Sequence, residues 1–383
     1  MTVRRTLRTE PHRLLFPLGA ALAALGVLPW IAFTLELPAL YRPIFQSIGF
    51  RSLFHPLVEV EGALTCFAVG FVLTALPRRT GAPPAPRSLL ALVVAAPLAI
   101  AACAYLDRWA FSQLIWAAEI VACAAFAKSR SSGPTGRATA SPRLVWIFAS
   151  VLMGTSGAVL AGLADSRGPD WFWLYDPGRD LLLEGVFLGL VLGAPEDLEA
   201  ALAGVPRSRP PAPRAAYALQ GLLAAVVIGS FFAGPLYSPR LGFALRGGAA
   251  AIAVAGLVRR HQRTGEAGPR RSAAIVAHLL LPAGLLWVAI LPAQRRAGLH
   301  VVYLGCFAAL ALLLSGSPPA AARDRPRPQG RDGELALAAA LLTFALVARV
   351  LIELDPVDFR MWLGIGSGAL VAAAVPWAAL TRR

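Results

Sequence analysis

The chain of 383 residues is 57% hydrophobic and only 15% charged, so apolar segments of membrane-spanning length must account for most of it, which excludes an ordinary water-soluble protein. Its 36 basic residues outnumber its 21 acidic ones, and the net charge of +15 would by itself suit a nucleic-acid-binding protein. The basic residues lie in the connecting segments, however, where they indicate membrane topology and argue against a nucleic-acid partner.

Apolar stretches of about 20 residues predict twelve transmembrane helices. In chain order, the predicted spans are residues 14–35, 57–76, 88–106, 109–127, 143–164, 180–195, 216–234, 239–258, 272–291, 297–314, 333–353 and 357–380. The sixth span is short, and the boundary between the third and fourth rests on Asp107 and Arg108 alone, so ten or eleven spans remain an alternative. We predict an all-α polytopic membrane protein in which residues 1–383 form a single helical bundle in the lipid bilayer.

The distribution of Lys and Arg predicts the orientation of this bundle, because positively charged loops stay in the cytoplasm. With the N-terminus inside, the cytoplasmic segments contain 25 basic residues and the opposite loops contain 10, while Arg349 falls inside the eleventh span. An even number of spans agrees with this asymmetry. We expect both termini to be cytoplasmic.

Glycines repeat every fourth residue in two of the predicted spans. Gly185, Gly189 and Gly193 follow this spacing in the sixth span, and Gly364 and Gly368 follow it in the twelfth. Such spacing lets helix backbones approach closely, so both sets predict helix-packing faces. The four cysteines lie in apolar spans without a CxxC spacing and are interpreted as core residues.

Ionisable side chains inside the bilayer are costly and usually face the bundle interior, so they are the candidates for a functional site. Three histidines qualify by position: His55 and His300 at the outer ends of the second and tenth spans, and His278 inside the ninth. His12 and His261 are predicted to be cytoplasmic. The candidate acids are Glu59, Glu61, Glu119 and Glu184.

The second span begins in the segment "FHPLVEVEGALTCFAVGFVLTALPRRTG". Steps of three and four residues place a polar or small stripe on one face of this helix, formed by His55, Glu59, Gly62, Cys66, Gly70 and Leu73. We expect this face to point toward other helices, with Glu59 accepting a hydrogen bond from one imidazole nitrogen of His55. In the alternative, His55 is an interfacial cap, and Glu59 and Glu61 only complement the helix dipole.

A neutral imidazole is a common ligand of haem iron and copper, so His55 and His300 at facing helix ends could form an axial pair. Tyr303 lies one turn from His300 on the same face. The alternative is that His300 is an interfacial residue beside Arg295 and Arg296. His278 lies roughly 9 Å into its span by helix rise and is a third candidate ligand, or a packing residue.

Two further charged residues lie deep in predicted spans. Glu119 could be a protonated packing residue, a partner of His278 or part of a proton path. Arg349 is interpreted as structural, because it can extend toward the interface or pair with Glu353 four residues later.

Five segments together resemble the NnrS family, in the same order and at similar spacing. They are "PHRLLFPLGAALAALGVLPW", "EGALTCFAVGFVLTALPRRTG", "GRDLLLEGVFLGLVLG", "LHVVYLGCFAALALLLS" and "LDPVDFRMWLGIGSGAL", and the end of the second span, "GFVLTALPRRTG", is the most specific. The resemblance implies a bacterial inner-membrane protein of about twelve spans that contains haem and copper and is linked to denitrification and nitric oxide stress. His55 and His300 occupy family-like positions, although the family often has two histidines at the start of the second span.

The leading hypothesis is therefore an NnrS-like membrane protein that binds haem b, and in the family pattern copper, through His55, His300 or His278, with Glu59 beside the site. Whether it catalyses a reaction is left open. One alternative is a secondary transporter that uses Glu119 and Glu184 for a proton or cation. Another is a family member without metal that has a structural role. A terminal oxidase or nitric oxide reductase is excluded, because those enzymes need about six intramembrane histidines including an adjacent pair. This chain has five histidines in total, and none are adjacent.

Overall fold

A computed structural model describes residues 8–37, 54–131, 141–193, 212–264, 268–316 and 331–382. Within these ranges the chain forms helices and contains no strand. Much of the predicted cytoplasmic loops, including Arg137, and the side chain of His261 lie outside the described residues.

Twelve long helical segments, α1 to α12, follow one another in the described residues. They are α1 His12–Thr34, α2 54–80, α3 Arg87–Tyr105, α4 Trp109–Ser131, α5 Leu144–Arg167, α6 175–193, α7 Arg214–Leu236, α8 Pro239–Thr264, α9 Pro269–Ile290, α10 295–315, α11 Arg331–Leu354 and α12 Phe359–Arg382. Short 3₁₀ turns at Pro169–Leu174 and Pro292–Gln294 precede α6 and α10. The prediction of an all-α polytopic bundle of about twelve helices is confirmed.

Eleven of these helices are long and apolar enough to cross a membrane, so the chain is a multi-pass membrane protein. The remaining one is α6, which starts at Tyr175 although the sequence predicts the sixth span from 180. The helix includes Asp176, Arg179, Asp180 and Glu184, and these charges hide its start from a hydropathy scan. The charges are compatible with a helix here because Asp180 and Glu184 are paired with Arg295 and Arg246 of other helices, and Arg179 is paired with its α6 neighbours.

Local sequence explains where several helices end. The chain turns between α3 and α4 at Leu106 to Arg108, where Asp107 adopts φ +57°, a conformation that short polar side chains tolerate. The predicted boundary between the third and fourth spans is thereby confirmed. Gly81 follows α2 with φ +69°, so the "PRRTG" segment ends in a left-handed glycine cap.

The polar and small stripe of α2 packs against α1, in antiparallel order. Along the stripe, Glu59 contacts Gly26, Gly62 faces Leu22, Cys66 faces Gly19, and Gly70 faces Phe16. The expectation that this face points toward another helix is confirmed. At the far end of the chain, α12 packs against both α11 and α1, so the last helix adjoins the first.

The glycines of α6 pack against α5, as their spacing predicts. A Cβ atom on Gly189 would lie 2.7 Å from Cβ of Ser150, and one on Gly193 would lie 2.6 Å from Cδ1 of Ile147. In α12, Gly364 is in ordinary contact with Thr34 of α1, whereas a Cβ on Gly368 would meet nothing within 4 Å. The prediction of a packing face is therefore wrong for Gly368, because the face that it occupies is open.

Candidate functional site

A cavity of about 450 Å³ lies between α2, α6 and α10, with further walls from α11 and α12. Its apolar walls include Leu64, Leu183, Leu299, Leu304 and Leu370. Its polar lining consists of His55, Glu59, Tyr175, Arg179, Asp180, Glu184, Arg295, Arg296, His300, Tyr303 and Arg349. Three of the four residues singled out from the sequence, His55, His300 and Glu59, are therefore brought together here, and His278 is not.

Each of the three helices around the cavity changes to π-helical geometry where it forms the wall. The π-helical segments are Leu57–Leu64 in α2, Leu181–Gly185 in α6 and Val301–Ala308 in α10. They are the only π-helical segments among the described residues, and all three contribute lining residues. π-helical turns are rare and occur frequently at functional sites. Sequence reasoning did not predict them, because a wide turn leaves no compositional signal.

His55 begins the wall on α2, and its ring orientation is fixed by α1. Its Nδ1 lies 3.1 Å from the carbonyl oxygen of Gly26. A carbonyl oxygen only accepts, so Nδ1 carries the proton and donates, which leaves Nε2 with its lone pair. The indole of Trp30 packs edge-on against the ring at a centroid distance of 5.9 Å. The ring is therefore held on two sides by α1.

His300 on α10 is held in the same tautomer. Its Nδ1 lies 2.7 Å from the carbonyl oxygen of Arg296, one turn earlier on its own helix. Because this carbonyl also can only accept, Nδ1 donates and Nε2 keeps its lone pair. Neither His55 nor His300 makes a hydrogen bond through Nε2 within the described part of the chain. The two rings are close enough to interact electrostatically.

Glu59 lies beside His55 but is not its hydrogen-bond partner. Its Oε1 is 3.9 Å from Nδ1, beyond hydrogen-bonding distance, and that nitrogen is already satisfied by Gly26. The charge that faces Glu59 is Arg349 of α11. Arg349 was interpreted from the sequence as a structural residue directed outward or toward Glu353. It lines the cavity instead, 6.0 Å from the ring of Trp30.

An ion-pair network forms the other side of the cavity. Asp180 accepts hydrogen bonds from Arg179 and from Arg295, whose Nη2 lies 2.8 and 2.9 Å from the two carboxylate oxygens. Arg246 of α8 donates to Glu184. These contacts explain how α6 keeps its charges within the bundle.

Arg246 was missed as an interior residue by sequence reasoning, which counted it among the basic residues of the outer loops. It is 1% exposed, and its guanidinium lies 3.8 Å from the ring of Phe231 and 4.5 Å from that of Phe243. Its Nε also donates to Ser230 Oγ at 3.1 Å. The sequence signal was its position inside an apolar run, "LGFALRGGAAAIAVAG", several residues from either end.

His278 is buried in α9 away from the cavity. Its Nδ1 is 2.7 Å from the carbonyl oxygen of Ala274. The charged side chain that interacts with it electrostatically is Arg143, at the start of α5. Arg143 donates to the carbonyl oxygens of Leu192 and Ala253. His278 thus has the same donor arrangement as the cavity histidines but no second histidine near it in the described residues.

Glu61 and Glu119 form a separate buried pair between α2 and α4. Both side chains are 0% exposed, and they interact electrostatically with each other. The alternative in which Glu61 only complements the helix dipole does not describe it, because Gln113 of α4 donates a hydrogen bond to its carboxyl group. The suggested contact of Glu119 with His278 does not occur, since its interactions are with Glu61 and two cysteines.

Comparison with known protein families matches the NnrS protein family over residues 6–382. The chain belongs to the NnrS family. No curated protein matches it. The family match spans the five segments that resemble this family; His300 lies in the fourth of them, and His55 lies six residues before the second. In this NnrS-family protein, the two family-like histidines therefore line one cavity.

Proposed function

We propose that this NnrS-family protein binds a b-type haem in the cavity through His55 and His300. The observation that supports this most directly is the shared tautomer of the two rings. In each, a backbone carbonyl accepts a hydrogen bond from Nδ1–H, which leaves the Nε2 lone pair free for a metal ion and raises the basicity of Nε2. Histidines that bind metal ions almost always have such a partner on their other nitrogen.

The rest of the lining suits the same ligand. Five leucines provide an apolar wall for a porphyrin ring. Arg296 and Arg349 lie in the same cavity and provide cationic partners for the two propionate groups of a haem, although Arg349 also faces Glu59. Arg179 and Arg295 are already paired with Asp180. The chain has no CxxCH sequence for covalent attachment, so a non-covalent haem b is expected.

A haem iron would supply one-electron chemistry. The protein's own residues would hold the ring plane, exclude water by the leucine wall and keep a phenol, Tyr303, beside it. The family resemblance links this site to nitric oxide stress or denitrification in a bacterial inner membrane. We propose that role for the chain without assigning it a catalytic reaction.

Copper is a weaker part of this proposal. In the described residues, no group of three His, Cys, Asp or Glu side chains is arranged to hold a metal ion. A copper ion in the cavity would have the two imidazoles as its nitrogen ligands and no sulfur ligand from the described lining residues. Metal analysis of the purified protein should therefore give iron in a fixed ratio to protein, and copper below it.

The test is the absorption spectrum of the full-length protein purified in detergent and titrated with haem. The native protein should show a Soret band and bind haem with a defined stoichiometry. His55→Ala and His300→Ala should each abolish or reshape the spectrum, because each would remove an imidazole that would hold the iron. Glu59→Gln should weaken binding less than either, since Glu59 acts only through the surroundings of His55.

His278→Ala provides the matched control, because His278 is also buried and also has its Nδ1 on a carbonyl. We expect its spectrum and haem affinity to equal those of the native protein. If His278→Ala loses the spectrum while both cavity variants keep it, the haem site is at α9. If the native protein binds no haem at all, it is a family member without the cofactor and the proposal fails.

The transporter alternative is not favoured by the contacts. Glu119 and Glu184 belong to different clusters, since Glu184 is paired with Arg246 at the cavity and Glu119 lies beside Glu61 between α2 and α4. They therefore do not form one cation site.

A further inference from the structure

A second polar cluster is buried between α2 and α4, outside the cavity. Its members are Glu61 and Thr65 of α2 and Ser112, Gln113, Trp116 and Glu119 of α4. None of these six side chains is more than 2% exposed. Polar groups at this depth are expensive and mark functional sites in membrane proteins more often than packing faces.

Hydrogen bonds fix one side of the cluster. Gln113 Nε2 donates to Glu61 Oε1 at 2.8 Å. Trp116 Nε1 donates to Thr65 Oγ1 at 3.3 Å, and this hydroxyl donates to the carbonyl oxygen of Val60 in the π-helical segment. Glu61 is therefore held in place by a neighbouring helix.

The other side of the cluster consists of acceptors without donors. Glu61 Oε2, Gln113 Oε1 and both carboxyl oxygens of Glu119 are buried and have no hydrogen-bond partner in the described part of the protein. Buried polar atoms are nearly always paired, and an ionised carboxylate can only accept. Four such oxygens in one place therefore require hydrogens or a cation that the neighbouring side chains do not supply.

Among the residues that the structure describes, no basic side chain faces these carboxyl groups. The titratable groups that interact with Glu119 are Glu61, Cys66 and Cys123, and Glu61 interacts with Gln113. The packed neighbours α3 and α5 contribute no charged residue between their terminal turns. In α6, Glu184 is paired with Arg246, and Arg179 is paired with Asp180. Between Arg13 and Glu36, α1 has no charged residue.

Charge balance decides which ligand fits. Two protons make the pair neutral, whereas one monovalent cation would leave a net negative charge at membrane depth with no basic group to offset it. We propose that Glu61, Glu119 and Gln113 form an exchangeable proton-binding site within the membrane-spanning region, separate from the cavity. This proton-binding site is proposed whether or not the cavity binds haem.

The site works through three roles. Glu61 and Glu119 hold the protons as carboxylic acids, whose O–H groups provide donors for the oxygens that lack them. Gln113 keeps Glu61 oriented by donating to its Oε1 in both protonation states. Two interacting carboxyl groups release their protons in two separate steps, because the first charge formed opposes the second.

Infrared difference spectroscopy of the full-length protein in detergent tests this directly through the carbonyl band of protonated carboxyl groups. At neutral pH the native protein should show this band, and transfer to D₂O should shift it within minutes. As the pH is raised, the band should decline in two steps. Glu61→Gln and Glu119→Gln should each remove about half of the band and leave a single step.

Glu36→Gln is the matched control, because Glu36 is a 70% exposed carboxylate that should leave the band unchanged. The proposal is overturned if the native protein shows no such band at neutral pH, or if the band survives both Gln substitutions. If the band does not shift in D₂O, the protons do not exchange, and the two acids are packing residues rather than an exchangeable site. A band that disappears on adding Na⁺, but not choline, would show a cation site instead. The D₂O measurement uses native protein, so it stands even if a variant fails to fold.

Discussion

Gly26 of α1 and Glu59 of α2 are in close contact. A Cβ atom at position 26 would lie 2.6 Å from Oε1 of Glu59. The carbonyl of the same glycine accepts the hydrogen bond from His55. One residue of α1, which contributes no side chain to the cavity, therefore sets the positions of two that line it.

Gly26→Ala should weaken haem binding without removing a cavity residue. The methyl group would force the Glu59 carboxylate and the α1 backbone apart and lengthen the bond from His55 Nδ1. Losing such a supporting contact typically lowers affinity by about 10- to 100-fold. Haem titration of the purified variant measures this. Gly221→Ala is the control, since a Cβ there meets nothing within 4 Å. Equal affinity of Gly26→Ala and native protein would contradict the role given to α1.

Arg246 and Glu184 should behave as a coupled pair in stability measurements. Arg246→Met leaves a buried carboxylate short of its main partner and should cost about 3–5 kcal/mol. The double variant Arg246→Met with Glu184→Gln should recover much of that loss, because no uncompensated charge remains. Thermal unfolding in detergent gives the coupling energy of the cycle. Additive losses in the double variant would show that the two residues act independently.

Acid should selectively weaken the contact between the start of α1 and the end of α2. Burial raises the pKa of the Glu10 carboxyl, but the hydrogen bond from Arg78 and the charges of Arg13 and Arg78 outweigh it, so this pKa lies below its usual value. Because the pKa of Glu10 is lower in the folded than in the unfolded protein, the ionised carboxylate stabilises the fold. This stabilisation is complete above the unfolded-state pKa, about 4.3, and is lost as the pH falls through the folded-state pKa.

Glu10→Gln should accordingly unfold at a lower temperature than native protein at pH 7. The difference should shrink as the pH falls below about 4, because the native carboxyl is then protonated too. Thermal scans at several pH values measure the effect, and Arg78→Gln should show the same loss at pH 7. A difference that stays constant down to acidic pH would indicate a packing effect instead.

The distribution of basic residues predicts that both termini are cytoplasmic. Reporter fusions after Arg79 and Arg137 should give cytoplasmic activity, and fusions after Asp170 and Arg296 should give periplasmic activity. The inverse pattern would reject the orientation, although not the helical bundle.

The sequence predicts the bundle well because membrane helices are defined by length and hydropathy. It predicts the stripe of α2 for the same reason, since helical periodicity places His55 and Glu59 on one face whatever lies opposite. It places the start of α6 five residues late, because charges that are paired in the folded chain look like a loop when α6 is read alone. Asp180 and Glu184 became interpretable only once Arg295 and Arg246 were placed beside them.

The site is less predictable than the fold, because it depends on contacts between distant segments. The sequence proposed Glu59 as the partner of His55 from their spacing of four, yet Gly26, on another helix, takes that role. It likewise interpreted Arg349 as directed toward the interface or toward Glu353, because nothing in the sequence of α11 shows that the helix face with Arg349 lines the cavity. Glu119 and Glu61 are 58 positions apart, and no periodic pattern connects them.

The paired charges of α6 also bear on how the protein is made. A helix with Asp180 and Glu184 inserts poorly by itself, because each central acid costs about 2.5–3.5 kcal/mol at insertion. Its partners are synthesised later: Arg246 follows Glu184 by 62 residues, and Arg295 follows Asp180 by 115. The sixth helix therefore acquires these partners only after α8 and α10 have been synthesised, so the neutralisation of its acids is tied to the assembly of the whole bundle.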